Sequence, residues 1–119
     1  MLNFFRSAPA APRLNASDAV ARAALHDITV IDVREFAEVR ATGQAAGALN
    51  IPLSILPLKA NPKGPDFDAR IDPAKPVAVY CASGARSGMA AQALTKLGYE
   101  AHNIGGFGDW RRAGGAVSQ

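Results

Sequence analysis

Apolar residues in this chain fall into two kinds of run. Ile28-Thr29-Val30-Ile31 and Val77-Ala78-Val79-Tyr80 are short, continuous and rich in β-branched side chains, the pattern of strands buried on both faces. Gly47-Ala48-Leu49-Asn50-Ile51-Pro52 reads as a further short strand that its proline ends, and Ala101 to Ile104 as the last one. Elsewhere apolar positions recur at helical spacing. A short extended piece at Arg13-Leu14 leads to Ser17, a suitable N-cap for a helix from Asp18 to His26. His26 then falls in the last turn, where a cation suits the helix dipole. Asp32 ends its strand and caps the next helix, with Glu35 three residues on as capping-box partner. That helix runs through Glu38 to Thr42 and stops at Gly43; Arg34 and Glu38, four apart, are expected to form a surface ion pair. A third helical pattern, Met89 to Leu97, ends at Gly98, and Gly105-Gly106 turns into a short helix carrying Trp110. Leu53 to Pro76 is rich in proline and shows little periodicity beyond a short helix around Asp66 to Ile71. A connection of that length predicts a pocket wall or lid. Strands alternating with helices predict an α/β fold, a parallel sheet covered on both faces, whose sites lie at the carboxyl ends of its strands.

Composition narrows the picture. A chain of 119 residues fits one domain, long enough to bury about two-thirds of its unfolded surface in a single core. Residues 1–12 are expected to be a flexible N-terminal segment and 13–119 the folded domain, with Ala8 to Pro12 as a linker. Met1 to Arg6, despite Phe4 and Phe5, is too short an apolar run for a signal peptide or membrane span, and a soluble protein is expected. The net charge of +3 is modest and the basic residues are scattered apart from Arg111-Arg112. This argues against a nucleic-acid surface and for a small anion as partner. A single cysteine excludes an internal disulfide, so a cytoplasmic, reducing location is the default. His26 and His102 lie far apart with no ligand spacing to Cys81, so no metal and no other cofactor is expected.

That cysteine, Cys81, carries the chemistry. It closes the run Val77 to Tyr80 and opens the loop Ala82-Ser83-Gly84-Ala85-Arg86-Ser87, behind which a helix begins. A thiol delivered by a strand to a turn at a helix N-terminus meets backbone N–H groups and the positive end of the dipole, which favour the nucleophilic thiolate. Lowering a thiol pKa from about 8.5 to about 6.5 needs roughly 2.7 kcal/mol. The dipole supplies up to about 2 kcal/mol and each hydrogen bond to a charged acceptor about 1.5 to 3, so two or three loop amides suffice without a histidine base. Gly84 lets the loop curl, and Arg86 either holds an anionic substrate or braces the loop.

Four segments resemble one family. Asp32-Val33-Arg34-Glu35 with Glu38 and Gly43, then Gly47 to Pro52, then Tyr80 to Ser87, then Gly105-Gly106-Phe107-Gly108-Asp109-Trp110 are similar, in order and spacing, to a rhodanese domain. The resemblance implies a five-stranded parallel sheet flanked by helices and a catalytic Cys81 that accepts a sulfane sulfur as a persulfide. It implies a small anionic donor such as thiosulfate and a cyanide, thiol or protein thiol acceptor. Ala82, Ser83, Gly84, Ala85, Arg86 and Ser87 would bind the substrate. The alternatives are a non-catalytic binding module, a protein persulfide relay, a cysteine phosphatase and an arsenate reductase. Phosphatases of the same fold carry one more residue between cysteine and arginine; here the loop counts six positions from Cys81 to Arg86. One departure from the family pattern is Gln44, in Gly43-Gln44-Ala45, where a histidine is usual.

Overall fold

The computed structural model describes residues 13–119; the expected N-terminal segment 1–12 lies outside them. Its elements run α1 (Ala16–Ala24), β1 (Thr29–Asp32), α2 (Phe36–Thr42), β2 (Gln44–Ala45), β3 (Leu49–Asn50), a 3-10 turn (Leu53–Ile55), α3 (Leu56–Lys59), β4 (Val77–Cys81), α4 (Ala85–Lys96), β5 (Ala101–Gly106), α5 (Phe107–Arg112) and β6 (Val117–Ser118). The main sheet is parallel in the order β3-β1-β4-β5, and β2 pairs antiparallel with β6. Among the described residues the parallel sheet therefore has four strands where five are expected.

Side chains of the two central strands alternate between two apolar layers, because successive residues of a strand point to opposite faces. Ile31, Val77, Val79 and Cys81 pack with Leu56, Ala90 and Leu94 of α3 and α4. Val30, Ala78 and Tyr80 pack on the other face with Ala19 of α1 and Phe107 and Trp110 of α5. Every residue of β4 is buried, as the uninterrupted apolar run predicts.

Several local expectations are corrected. Asn15, not Ser17, caps α1: its side-chain oxygen accepts from Asp18 N at 2.9 Å while Asp18 accepts from Asn15 N at 3.1 Å. His26 lies beyond that helix with φ 58°. His102 of β5 accepts a hydrogen bond from Leu14 N, in the segment before α1, at 3.4 Å. Residues 66–71 form turns without a helix; the helical turns of this connection come earlier, at Leu53–Ile55 and Leu56–Lys59. Buried Ile71 and partly buried Phe67 fasten the connection to the core.

Asp32 does not cap α2. It is fully buried and binds the 3% exposed Arg34 bidentately, Nε to Oδ1 at 3.0 Å and Nη2 to Oδ2 at 2.7 Å. Arg34 also donates to Thr42 Oγ1 and Gly43 O, both at 2.8 Å, and lies 4.5 Å from the Phe107 ring centroid. Arg34 precedes the helix, so it does not share a helical face with Glu38, and the expected Arg34–Glu38 pair is absent. The buried fork instead ties the C-terminal end of α2 to the end of β1, and Glu38 of α2 reaches Arg86 behind the carboxyl end of β4.

Candidate active site

Strand β4 ends at Cys81, 1% exposed, and the chain turns through Ala82, Ser83 and Gly84 into the twelve-residue helix α4. Gly84 holds φ +105°, a left-handed conformation that a side chain resists. The turn aims two backbone donors and one hydroxyl at sulfur. Gly84 N lies 3.0 Å and Ser87 N 3.4 Å from Cys81 Sγ, and Ser87 Oγ stands at 3.3 Å. Burial by itself pushes this thiol up, but hydrogen bonds from the Ser87 hydroxyl and the amides of Ser87, Gly84 and Ser83 outweigh it and set the thiol below its ordinary value. Ala82, Ser83 and Ala85 are exposed at the mouth of the loop.

Arg86 is held by a carboxylate of α2. Its Nη1 and Nη2 donate to Glu38 Oε1 at 2.6 Å and Oε2 at 2.9 Å, across 48 residues of sequence. The bond from Arg86, then the amide of Glu35, pulls the Glu38 carboxyl down to about 2, and Glu38 holds the guanidinium above its ordinary value. Arg86 thus braces the loop against α2 through a carboxylate, not through loop carbonyls.

A second support escapes sequence reasoning altogether. Val79 faces Asn103 across the sheet but Cys81 faces Gly106, so β5 bulges by one residue beside the loop. The bulge sets Asn103 beneath it: Nδ2 donates to Gly84 O at 3.0 Å, while Oδ1 accepts from Gly105 N at 2.9 Å and Ser87 Oγ at 2.7 Å. Gly106 passes so close to Ala82 O that a Cβ would collide with it. Gly105-Gly106 reads in sequence as a turn; its approach to the cysteine loop depends on β4 and β5 being neighbours.

An open cleft of about 760 Å³ lies beside the loop, lined in part by Ser83, Gly84, Asn103, Gly105, Asp109 and Arg112. Gln44 lies in β2 and donates to Ala48 O at 3.2 Å, with no contact to the cysteine loop among its hydrogen bonds. No helix among the described residues is long and apolar enough to cross a membrane.

The site can hold a nucleophilic sulfur as an anion, and relatives carry the same domain. The chain is 34% identical over 90 residues to a protein named sulfurtransferase from Allochromatium vinosum, covering 74% of this chain and 76% of that one. It superposes with a TM-score of 0.72 and 30% identity on human single-domain sulfurtransferase TSTD1, covering 86% and 96% of the two chains. It superposes with a TM-score of 0.77 and 31% identity on a protein of unknown function from Rhodopseudomonas palustris described as a "possible tyrosine phosphatase", covering 89% and 83%. The matched stretch makes up 65%, 76% and 58% of three curated relatives, so it spans less than two thirds of two of them. The rhodanese-like domain model matches residues 15–113, a span that holds the strand, the cysteine loop and the bulged strand beneath it, and the chain belongs to the rhodanese-like domain family.

Proposed function

We propose that this protein is a sulfurtransferase that carries a sulfane sulfur as a persulfide on Cys81. The observation that carries this reading is the convergence of Gly84 N, Ser87 N and Ser87 Oγ on a buried Sγ at the N-terminus of α4. The two amides are already in place and stabilise charge on sulfur without reorganisation. With thiosulfate, the Cys81 thiolate attacks the outer sulfur. A new S–S bond forms to Cys81, the bond to the sulfonate sulfur breaks, and its electron pair leaves on sulfite. An acceptor nucleophile, cyanide or the thiolate of a small molecule or protein, then attacks the outer sulfur and returns Cys81 as thiolate, a ping-pong scheme.

The description of the Rhodopseudomonas neighbour raises phosphate-ester hydrolysis as a second reading. Loop size argues against it here. Six positions separate Cys81 from Arg86 inclusive, the amides close directly on sulfur, and Arg86 is engaged by Glu38 rather than free to clamp an oxyanion.

The test is intact-protein mass after thiosulfate treatment. Wild type should gain the mass of one sulfur atom and lose it again to cyanide, while Cys81→Ser, a near-isosteric change, should stay folded and do neither. A serine variant that still turns over thiosulfate overturns the reading. A folded wild type that takes up no sulfur from any donor supports a binding module, and strong aryl-phosphate hydrolysis lost in Cys81→Ser supports the phosphatase.

A further inference from the structure

The loop from Cys81 to Ser87 contains one cation, Arg86, and its charge is already answered. Glu38 binds both terminal nitrogens of the guanidinium, at 2.6 and 2.9 Å, while Oε1 of the same carboxylate accepts from Glu35 N at 2.9 Å. The Glu35 carboxylate is close enough to add to the field on Arg86. Ala82, Ser83 and Ala85 bring no charge to the mouth. In the neighbouring cleft two arginines line the wall, Arg13 and Arg112, and Arg112 is paired with Asp109 at 2.5 Å. Beyond Arg13 and the Arg112–Asp109 pair of the cleft wall, the charge held against the cysteine loop itself is the Arg86 guanidinium with the Glu38 carboxylate on both its terminal nitrogens. An anion approaching Cys81 gains Arg86 only by displacing a bidentate carboxylate, and its repulsion from Glu38 and Glu35 scales with its own charge.

We propose, on the basis of the sulfurtransferase reading, that Glu38 supported by Glu35 is a specificity-determining residue that favours sulfane donors of single negative charge, organic thiosulfonates and alkyl persulfides, over the thiosulfate dianion. The chemistry is the same for both. With a thiosulfonate, the Cys81 thiolate takes the outer sulfur, the S–S bond to Cys81 forms, and the electron pair of the broken bond leaves on sulfinate. No proton, oxidant or reductant enters. With an alkyl persulfide anion the S–S bond to Cys81 forms as the donor's S–S bond breaks, its electron pair leaves on the alkyl thiolate, and no proton moves.

Thiosulfate and methanethiosulfonate differ at the reacting end by one charged oxygen replaced by methyl, which makes them the matched probes. Glu38→Gln keeps an oxygen that can accept from Glu35 N and removes the charge. With cyanide as acceptor, the ratio of kcat/KM for thiosulfate to that for methanethiosulfonate should rise about fivefold in Glu38→Gln, about 1 kcal/mol at 1.4 kcal/mol per decade. The rise should shrink at high salt, as screening of an exposed pair requires. Glu35→Gln should move the ratio the same way by about twofold and serves where Glu38→Gln fails to fold. A folded variant with an unchanged or falling ratio overturns the selectivity role, because a carboxylate that only braces the loop changes both donors alike. If intact mass shows that neither donor adds sulfur to wild-type Cys81, the sulfurtransferase reading falls as well, an outcome distinct from an unmoved ratio.

Discussion

Replacing Ser87 with alanine separates the hydroxyl from the backbone as sources of thiolate stabilisation. The hydroxyl has one proton and three acceptors around it: it lies 2.7 Å from Asn103 Oδ1, 3.3 Å from Gly105 O and 3.3 Å from Cys81 Sγ. While Cys81 is a thiol, the shorter contact takes the proton and the oxygen can accept from S–H. Once Cys81 ionises, the proton turns to sulfur, and Asn103 Oδ1 keeps Gly105 N at 2.9 Å. A hydrogen bond to an ion contributes about 1.5 to 3 kcal/mol against about 0.5 to 1.5 for a neutral pair, so the hydroxyl favours thiolate over thiol by about 1 kcal/mol. At 1.36 kcal/mol per pKa unit, Ser87→Ala should raise the thiol midpoint by about 0.5 to 1 unit. The Gly84 and Ser87 amides remain, so the midpoint should not return all the way to about 8.5. The assay is the rate of iodoacetamide alkylation against pH, followed by intact mass, with a thermal melt to verify folding. Linkage supplies a second reading with a defined sign. A thiol whose pKa is lower folded than unfolded adds stability above the unfolded value, and that stability is lost as pH falls through the folded value, so Ser87→Ala should lose stability chiefly on the alkaline side. A folded variant whose midpoint is unmoved or lower refutes the switch and leaves the hydroxyl permanently with Asn103.

Asn103→Ala removes the tie from Nδ2 to Gly84 O and the acceptor for Gly105 N and Ser87 Oγ, of which the hydroxyl alone keeps another backbone acceptor, Gly105 O at 3.3 Å; at about 1 kcal/mol for each of the two other bonds it should cost about 2 kcal/mol in urea unfolding and lower the alkylation rate at pH 7. Equal stability with wild-type reactivity would show that Asn103 does not hold the loop. Glu38 is held at about 2 in the folded protein, so its contribution is present above the ordinary carboxyl range near 4.3 and is lost as pH falls toward 2. Discounted for a side chain 37% exposed, Glu38→Gln should be about 1 kcal/mol less stable at pH 7 and equal to wild type near pH 2, and a gap that persists unchanged at pH 2 would refute the pairing with Arg86.

Much of this protein is legible one segment at a time. The uninterrupted apolar runs of β1 and β4, the glycine stops after α2 and α4, and the strand-to-helix turn holding Cys81 are local patterns, governed by side-chain burial and backbone freedom over a few residues. The donors nearest sulfur are local too, since Gly84 and Ser87 follow Cys81 by three and six positions. What lies around them depends on which elements become neighbours. Glu38 reaches Arg86 because β1 and β4 pair side by side and the buried Asp32–Arg34 fork anchors α2 at the end of β1. Four-residue spacing suggests Arg34 as the partner of Glu38, but the helix starts at Phe36, and the bidentate Asp32 carboxylate holds Arg34 inward against the cost of desolvating it. Asn103 supports the loop because β5 lies against β4 and bulges there. An asparagine in a strand carries no such message alone, since its hydrogen bonds are decided by whichever backbone is brought within about 3 Å. Thus the position of Cys81 at the strand-to-helix turn is legible in the chain, while the charge at the mouth of its loop and the support beneath it arise from strand order and register, which set contacts across dozens of residues.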